Sequence, residues 1–390
     1  MPKKPKGEAA AHKGLNIGIL LGKSNKGTFY HLISALAEGM LHNGAKKVTV
    51  YYMGQELDRS AFPKETQFID LKTQRIRELP GALRTAIKAE TPDIFLSMTY
   101  AYNIVSLLAK LMLGKTKTKF VISEHNHMSL KIKDRHADLR YRTMPYMMKM
   151  LYPYADGIYT VSEEVMKDLD KGLKISLPKF RLAISNPVSP AKTTKKTPKK
   201  KTNASKPKGG PLILSIGRMS HEKNFPLLIS AFEKVRSKTP CRLRMFGEGK
   251  EQENIAALVK ASPASKYIEL KPFTTKPRQE MSKADLFVLS SSNEGFGLVL
   301  VEAMTLGIPV ISTDADGGGP REILETSKYG LLVKNQNVDA LADAITKMLK
   351  NQKLRHYYSK KSLERAKAYA PDKIAGKMTR FFDTILEAKR

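Results

Sequence analysis

The chain has 390 residues, of which 68 are Lys or Arg and 37 are Asp or Glu, giving a formal net charge of +31. With 41% hydrophobic residues it can build sizeable cores, which excludes a wholly disordered chain. The single cysteine, Cys241, excludes both an intramolecular disulfide framework and a zinc site built from cysteine pairs. So basic a surface favours partners that carry phosphate: nucleic acids, anionic membranes or charged small molecules.

The N-terminal residues are basic and no apolar stretch follows them, so we do not expect them to act as a secretory signal. The longest apolar run, about residues 102–113, is interrupted by polar side chains and falls short of the ~20 residues that span a bilayer. We therefore expect a cytoplasmic protein.

Short β-rich runs alternate with stretches of helical spacing on both sides of a lysine-rich segment. In the first half the predicted strands are 16–21, 47–52, 93–98, 119–123, 157–161 and 181–185. In the second half they are 212–216, 242–246, 267–270, 285–290, 309–313 and 330–333. Continuous apolar runs separated by helices predict parallel sheets buried on both faces. The expected fold is α/β, with two doubly wound Rossmann-like domains facing a cleft at the carboxyl ends of their strands.

The lysine-rich segment, residues 191–208, has eight lysines and no acidic residue. It is interpreted either as a solvated linker or as a docking segment for anionic lipid headgroups. No aromatic residue lies between its lysines, which argues against a platform for single-stranded nucleic acid.

These features predict four regions. They are an N-terminal Rossmann-like domain over 14–187, a lysine-rich linker over 188–210, a C-terminal Rossmann-like domain over 211–370 and an amphipathic helix over 371–390.

The most informative motif is the sequence EGFG at residues 294–297, which follows the strand 285–290 and precedes a helix predicted over about 298–306. Its glycines let the backbone approach a ligand closely, and the N–H groups that open the helix form an anion site. Glu302 lies eight positions after Glu294, on the helix that follows, where it can accept hydrogen bonds from a ribose diol. The alternative is that Glu302 is a solvated helix residue and that the glycines only cap the helix.

A second motif, GRMSHEKN, follows the strand 212–216 and places Arg218 and Lys223 at its end. Two fixed cations there suit a diphosphate leaving group, on which negative charge develops during glycosyl transfer. The alternative is an exposed basic loop. Gly247 begins the sequence Gly-Glu-Gly after the next strand. This sequence is only half of the glycine fingerprint of dinucleotide-binding proteins, because the third glycine is absent.

Two motifs in the first half also follow strands. The turn from Gly22 to Thr28 is not a phosphate loop of the nucleotide triphosphatases, because Thr28 stands where their lysine is required. His125, in the sequence EHNH after the strand 119–123, is a candidate hydrogen-bond donor or acid/base group, or else an anchor for its loop. A zinc site needs about three protein ligands and no such cluster is visible.

Together these motifs resemble the glycosyltransferase family 4 proteins, which are retaining enzymes of the GT-B fold. The resemblance covers nearly all of residues 14–390 outside the lysine-rich segments, and Glu294 and Glu302 match the family's Glu-x7-Glu pattern. It implies catalytic roles for His125, Glu294, Arg218 and Lys223. It implies that the donor nucleotide sugar is bound by Gly27, Arg218, Lys223, Gly247, Glu294, Gly295, Phe296, Gly297, Leu298 and Glu302. The fold that the resemblance implies also predicts that the C-terminal helix 371–390 crosses back to the N-terminal domain. The chain departs from the family pattern at Lys26, usually glycine, and at Asn186-Pro187, usually Asn-Gly.

The resemblance is strongest to the bacterial branch and implies a hexosyl or N-acetylhexosaminyl transferase of EC class 2.4. The expected donor is a nucleotide diphosphate sugar, with UDP the most frequent carrier. The expected acceptor is a glycan on polyprenyl diphosphate or lipopolysaccharide, with no metal or other cofactor. Two alternatives stay open: a sugar-nucleotide epimerase on the same fold, and a nucleic-acid-binding protein that uses the +31 charge.

One segment of the first half has two interpretations. Tyr141, Met144, Met148 and Leu151 recur at steps of three and four with cations between them, as in a helix lying on a membrane surface. A methionine-rich face packed against the core gives the same spacing. With a membrane-linked acceptor, the first interpretation predicts peripheral binding to the inner face of the plasma membrane.

Overall fold

The computed structural model describes residues 14–22, 27–54, 56–134, 138–190 and 209–388. It divides the chain into two compact units. The first unit consists of Met1–Val161, Met166–Pro187 and Pro371–Arg390, and the second of Ser162–Val165 and Val188–Ala370. The lysine-rich segment 191–208 lies outside the described residues, as do residues 23–26 of the turn before Gly27.

Each unit is built on one parallel sheet. The first unit has seven strands in the order β3-β2-β1-β4-β5-β6-β7 and the second has six in the order β10-β9-β8-β11-β12-β13. The strands of the first sheet are β1 (Asn16–Leu21), β2 (Lys47–Tyr52), β3 (Gln67–Asp70), β4 (Ile94–Met98), β5 (Lys119–Glu124), β6 (Gly157–Thr160) and β7 (Phe180–Ala183). Those of the second are β8 (Leu212–Ile216), β9 (Arg242–Phe246), β10 (Ile268–Lys271), β11 (Leu286–Leu289), β12 (Val310–Thr313) and β13 (Leu331–Val333).

Helices connect most of the parallel strands, and a loop without a described helix joins β2 to β3. The helices are α1 (Thr28–His42), α2 (Leu79–Glu90), α3 (Tyr100–Leu113), α4 (Met128–Asp134), α5 (Leu139–Leu151), α6 (Glu163–Lys167), α7 (Phe225–Arg236), α8 (Gln252–Ala261), α9 (Pro277–Met281), α10 (Leu298–Thr305), α11 (Gly319–Leu324), α12 (Val338–Lys350), α13 (Gln352–Ala366) and α14 (Pro371–Glu387). Across the described part of the chain, no helix has the length and apolar character needed to span a membrane.

The doubly wound α/β fold predicted from the sequence is confirmed in both units. The predicted strands all form, with ends that differ by at most two residues, and β3 is an additional strand. In both sheets the strand order reverses beside the first strand, between β1 and β4 and between β8 and β11. Ligands of doubly wound folds bind at such a switch point, outside the carboxyl ends of the strands.

The C-terminal helix α14 completes the core of the first unit. It buries one apolar stripe, which includes Ile374, Met378 and Phe382, in the same cluster as Ile33 and Leu36 of α1. The two helices approach closely because Gly39 has no side chain: a Cβ there would lie 2.5 Å from the Pro371 carbonyl oxygen. The last helix of the chain is therefore part of the first unit.

Helix α5 has two apolar faces. Met144, Met148 and Leu151, which the membrane interpretation placed on a lipid-facing side, are fully buried in the core of the first unit. The core interpretation is therefore correct for these three residues. On the opposite face, Tyr146 and Met150 expose 75% and 58% of their surface.

Candidate active site

The EGFG motif forms a tight loop between β11 and α10. Gly297 precedes the helix in the left-handed region, at φ 97°, a conformation that glycine adopts without strain. Phe296 is buried and packs edge-on against Tyr369 with ring centroids 5.5 Å apart. The N–H groups of the first helical turn have no partner within the helix and carry its positive dipole end. The loop thus places Glu294 and these donors together at the carboxyl end of β11.

A second loop, residues 314–319, which the sequence analysis did not single out, holds the EGFG loop in place. The Glu294 N–H donates to the Asp316 carbonyl at 2.7 Å, and the Gly319 N–H donates to the Glu294 carbonyl at 3.2 Å. The loops touch because residues 317–319 are all glycine: a Cβ on Gly319 would lie 2.4 Å from the Phe296 backbone. Three consecutive glycines, separated by three residues from the end of β12, were the available signal for this contact.

Lys223 pairs directly with Glu294. Its Nζ forms an ion pair with Glu294 Oε2, which also accepts a hydrogen bond of 3.3 Å from Ser291 Oγ. The Lys223 backbone is fixed as well, because its carbonyl accepts a hydrogen bond of 3.0 Å from Ser290 Oγ. The two motifs that lie 71 residues apart in sequence therefore form one charged cluster where β8 and β11 lie side by side.

Arg218 lies in the turn that follows β8, and its side chain is exposed. The turn packs under the Gly-Glu-Gly sequence after β9: a Cβ on Gly247 would lie 1.9 Å from the Gly217 carbonyl oxygen. The Met219 N–H donates to the Glu248 carbonyl at 2.9 Å. Gly247 thus permits two strand-end turns to pack against each other.

Glu302 is on α10, and desolvation raises the pKa of its carboxyl above the ordinary value, while the positive charge of Arg278 opposes this rise. The Arg278 guanidinium also donates to the Ser189 and Pro190 carbonyls, at 2.6 and 3.1 Å. Glu302 is partly buried, so its carboxyl group accepts hydrogen bonds with less competition from water than one on the surface does.

The other two predicted residues belong to the first unit. Gly27 directly precedes α1. His125 follows β5, and its Nε2 lies 2.9 Å from Ser123 Oγ. The ring of Phe29 contacts the imidazole edge-on, with centroids 5.0 Å apart. Burial lowers the pKa of His125 to about 3, against an opposing hydrogen bond with Asn186, so the imidazole is neutral at physiological pH.

The predicted residues therefore fall into two groups. Gly27, before α1, and His125, after β5, belong to the first unit. The second unit holds all the others, which are Arg218, Lys223, Gly247, Glu294, Gly295, Phe296, Gly297, Leu298 and Glu302. Within the described residues there is no group of three or more His, Cys, Asp or Glu side chains that could hold a metal ion.

Comparison with known proteins identifies the family. Residues 196–365 match the family model described as glycosyl transferases group 1, and residues 32–190 match that of glycosyltransferase family 4. Over 287 residues the chain is 32% identical to N-acetylgalactosamine-N,N'-diacetylbacillosaminyl-diphospho-undecaprenol 4-alpha-N-acetylgalactosaminyltransferase of Campylobacter jejuni. That match covers 73% of this chain and 74% of the relative. The chain belongs to the group 1 glycosyltransferases.

Solved structures agree on the fold. Staphylococcus aureus TarM, crystallised as a mutant with UDP, fondaparinux and alpha-GlcNAc-glycerol, superimposes with a TM-score of 0.73 at 15% identity, covering 95% of this chain and 100% of TarM. Anabaena HepE in complex with UDP and glucose gives a TM-score of 0.72 at 16% identity, covering 95% and 100%. This glycosyltransferase therefore has the GT-B fold. Its similarity to the C. jejuni enzyme places it in the bacterial glycan branch of its family.

Proposed function

We propose that this glycosyltransferase moves a hexosyl or N-acetylhexosaminyl group, with retention of anomeric configuration, from a nucleotide diphosphate sugar to a glycan acceptor. UDP is the first candidate for the carrier, and a polyprenyl-diphosphate-linked glycan or lipopolysaccharide is the candidate acceptor. The observation that carries the proposal is the Lys223–Glu294 pair at the switch point of the second sheet. The C. jejuni relative, whose name specifies a lipid-linked acceptor, supports the acceptor class.

In the proposed reaction the bond between the anomeric carbon and the diphosphate oxygen breaks, and the acceptor hydroxyl oxygen bonds to that carbon. The proton of the acceptor hydroxyl passes to the departing diphosphate. The departing diphosphate gains charge as the bond breaks, so cations placed near it stabilise the transition state more than the ground state. Lys223 and Arg218 supply that charge, and we propose that they serve in place of a metal ion. The N–H groups of Gly295 to Leu298 bind the phosphates.

The carboxylates have separate proposed roles. Glu294 orients Lys223 through their ion pair and accepts hydrogen bonds from the donor sugar. Glu302 accepts from the ribose diol, and its desolvated carboxyl favours that contact over water. In the first unit, neutral His125 forms a hydrogen bond at the reacting centre, with Gly27 contacting the donor.

A thermal-shift panel with UDP, GDP and ADP tests the donor site. Because a ligand at about 100 times its Kd stabilises the folded state by roughly 2.7 kcal/mol, we expect one nucleotide to raise the Tm clearly. The shift should disappear in Arg218→Ala/Lys223→Ala and shrink in Glu302→Gln. Lys234→Ala, which removes an exposed cation paired with Asp339 on the same unit, should keep it.

Two outcomes would contradict the donor site. One is a nucleotide shift that survives in the double variant. The other is stabilisation by duplex DNA alone, which would instead support nucleic-acid binding through the +31 charge. Product formed from a nucleotide sugar without any acceptor would favour an epimerase and contradict the proposed transfer.

We also propose that this glycosyltransferase docks on the anionic inner face of the plasma membrane. A stripe of side chains on the outer face of α5 and the turn after it, which we name the α5 stripe, supports this. Its members are Leu139, Tyr146, Met150 and Tyr154, which expose between 53% and 75% of their surface. Exposed cations, including Arg142 and Lys149, lie between them, and residues 139–155 contain no acidic side chain. Apolar and basic groups on one face suit an anionic lipid surface.

Replacing two members of the stripe, Tyr146→Glu/Met150→Glu, is expected to weaken binding to vesicles containing phosphatidylglycerol by about tenfold or more. The change removes apolar area, worth ~1.5–3 kcal/mol for each side chain when fully buried, and adds repulsive charge. Co-sedimentation with phosphatidylcholine vesicles, with and without phosphatidylglycerol, provides the measurement. Tyr357→Glu/Leu363→Glu makes the same kind of change on exposed residues of α13 and should bind like the parent.

Removal of residues 191–208 adds a second arm to that experiment. Since the segment contributes eight lysines, its loss should also weaken vesicle binding while the nucleotide shift stays unchanged. Vesicle binding that is insensitive to both changes would overturn the membrane proposal.

A further inference from the structure

A buried carboxyl group lies directly beside His125 and has no role in the site described so far. Glu124 is the last residue of β5, and its side chain is fully buried. Its Oε1 accepts hydrogen bonds from the Tyr152 hydroxyl and, at 2.9 Å, from Asn103 Nδ2. Within the described residues Oε2 is buried without a hydrogen-bond partner that meets ordinary geometry. Burying an ionisable group costs stability, so a carboxyl here calls for an explanation beyond packing.

The network around Glu124 fixes the strand end that carries His125. Asn103 Nδ2 donates to the Ser123 carbonyl at 2.8 Å, and the Thr99 N–H donates to the same oxygen at 2.9 Å. Ser123 Oγ in turn lies 2.9 Å from His125 Nε2. The peptide between Ser123 and Glu124 is therefore held by two donors, and the imidazole is held by the side chain of the same serine.

Thr99 itself is strained, because a β-branched residue at φ 69° occupies a region of the backbone map that few residues other than glycine adopt. Strain of this kind persists where the surrounding structure requires it, and it concentrates at functional sites. The strained conformation of Thr99 directs its N–H at the Ser123 carbonyl oxygen. Thr99 and the Asn103 side chain therefore hold the same peptide group.

Charged and titratable groups reach Glu124 from each element packed around it. They are Tyr152 after α5, Tyr100 on α3, Lys131 on α4 and the neighbouring His125. Desolvation raises the pKa of Glu124 to about 7, while the Tyr152 hydrogen bond, the Lys131 charge, the Asn103 hydrogen bond and the His125 N–H oppose the rise. Near neutral pH the carboxyl is therefore close to the midpoint between its neutral and ionised forms.

We infer that Glu124 is a positioning residue for His125, and that glycosyl transfer requires Glu124 in its neutral form. In the neutral form the network is uncharged and leaves the end of β5 as the structure has it. Once ionised, Oε2 carries negative charge and attracts the backbone N–H of His125 and the Lys131 ammonium, both of which lower the pKa of Glu124. Lys131 is on α4, which begins three residues after His125. Both attractions therefore pull on the short loop that carries the imidazole.

This inference rests on the proposed function for its effect on turnover, but it has readouts that do not. Two-dimensional NMR of ring-labelled histidine should show the His125 signals changing with pH around a midpoint near 7 in the parent. His125 itself does not titrate there, because its own pKa is lowered to about 3. In Glu124→Gln, which keeps the shape of the neutral acid, the signals should not change between pH 5.5 and 8.5. Glu65→Gln, an exposed carboxyl of the same unit, should behave like the parent.

Stability provides a second readout. Between the ordinary pKa of 4.5 and the folded value of about 7, the folded state binds more protons at Glu124 than the unfolded state. Parent stability should therefore fall with rising pH across that window relative to Glu124→Gln, and the Tm difference should stay constant above it.

Turnover provides a third readout. The kcat of the parent should fall about tenfold from pH 6 to pH 8, because the neutral fraction of Glu124 falls by that factor. The KM for the donor should not change, and the kcat of Glu124→Gln should not depend on pH over this range.

Tyr152→Phe covers the case in which Glu124→Gln does not fold. It removes a hydrogen bond that favours the ionised carboxylate, so the midpoint seen at His125 should move to higher pH. His125 signals that do not change in the parent, or that change identically in Glu124→Gln, would overturn the inference. A missing nucleotide shift with the NMR result intact would instead count against the donor site alone.

Discussion

Lys223→Met is expected to lower kcat by about 10²–10³-fold, the loss typical when a preorganised group that stabilises developing negative charge is removed. Lys223 is held on both sides, by its ion pair to Glu294 and by the hydrogen bond from Ser290 to its backbone carbonyl, so the ammonium is positioned before the donor binds. Because diphosphate charge grows as the glycosidic bond breaks, kcat should fall more than the affinity for the nucleotide sugar.

Steady-state kinetics on three variants separate this role from simple loss of structure. Lys223→Arg keeps the charge but changes its geometry, so it should retain part of the activity. The double variant Lys223→Met/Glu294→Gln should lose less than the product of the two single losses, because the residues act as one pair. Lys234→Met, on the exposed face of α7, is the control. A Lys223→Met enzyme with the parent kcat would show that the pair does not serve the diphosphate.

The sequence was sufficient where burial is continuous along the chain. The runs Asn16–Leu21 and Leu212–Ile216 form strands with the predicted bounds, and each is buried at all but one residue, as expected for parallel strands covered on both faces. The short strand β3 was not predicted, since none of its four residues is fully buried and its pattern is neither continuous nor alternating. Only its pairing with β2 identifies Gln67–Asp70 as a strand.

The site was predictable in its residues but not in its contacts. The spacing of Glu294 and Glu302 is a local pattern, whereas the ion pair from Glu294 to Lys223 joins motifs 71 residues apart. The same limit explains why the sequence analysis singled out His125 and not Glu124. The chemistry of Glu124 depends on Asn103 and Tyr152, which only the packed sheet brings to the end of β5.

The two faces of α5 show a different limit. Met144 and Met148, which are four residues apart, pack against the core. Tyr146 and Met150 have the same helical spacing and are exposed on the outside. Periodicity defines the faces of a helix, but when both faces carry apolar residues it does not say which one is covered.

Gly319→Ala is expected to disrupt the donor site from outside the predicted motifs. The added Cβ would lie 2.4 Å from the Cα and carbonyl oxygen of Phe296, and these are backbone atoms that cannot turn away. The contact also carries the hydrogen bond from the Gly319 N–H to the Glu294 carbonyl. Relieving the overlap must separate the two loops, so we expect about 1–3 kcal/mol of destabilisation and a nucleotide affinity at least tenfold weaker.

Gly81→Ala is the matched control, because it makes the same substitution at a helical glycine of α2 where a Cβ meets nothing within 4 Å. Since alanine favours the helix over glycine, this variant should be more stable by about 0.5–1 kcal/mol and should keep the nucleotide shift. Thermal unfolding of both variants, with and without the nucleotide that stabilises the parent, provides the measurement. If Gly319→Ala melted and bound nucleotide as Gly81→Ala does, the glycine-rich loop would not be what holds Glu294 and the phosphate-facing N–H groups in place. The donor geometry would then depend on the Lys223 side of the cluster alone.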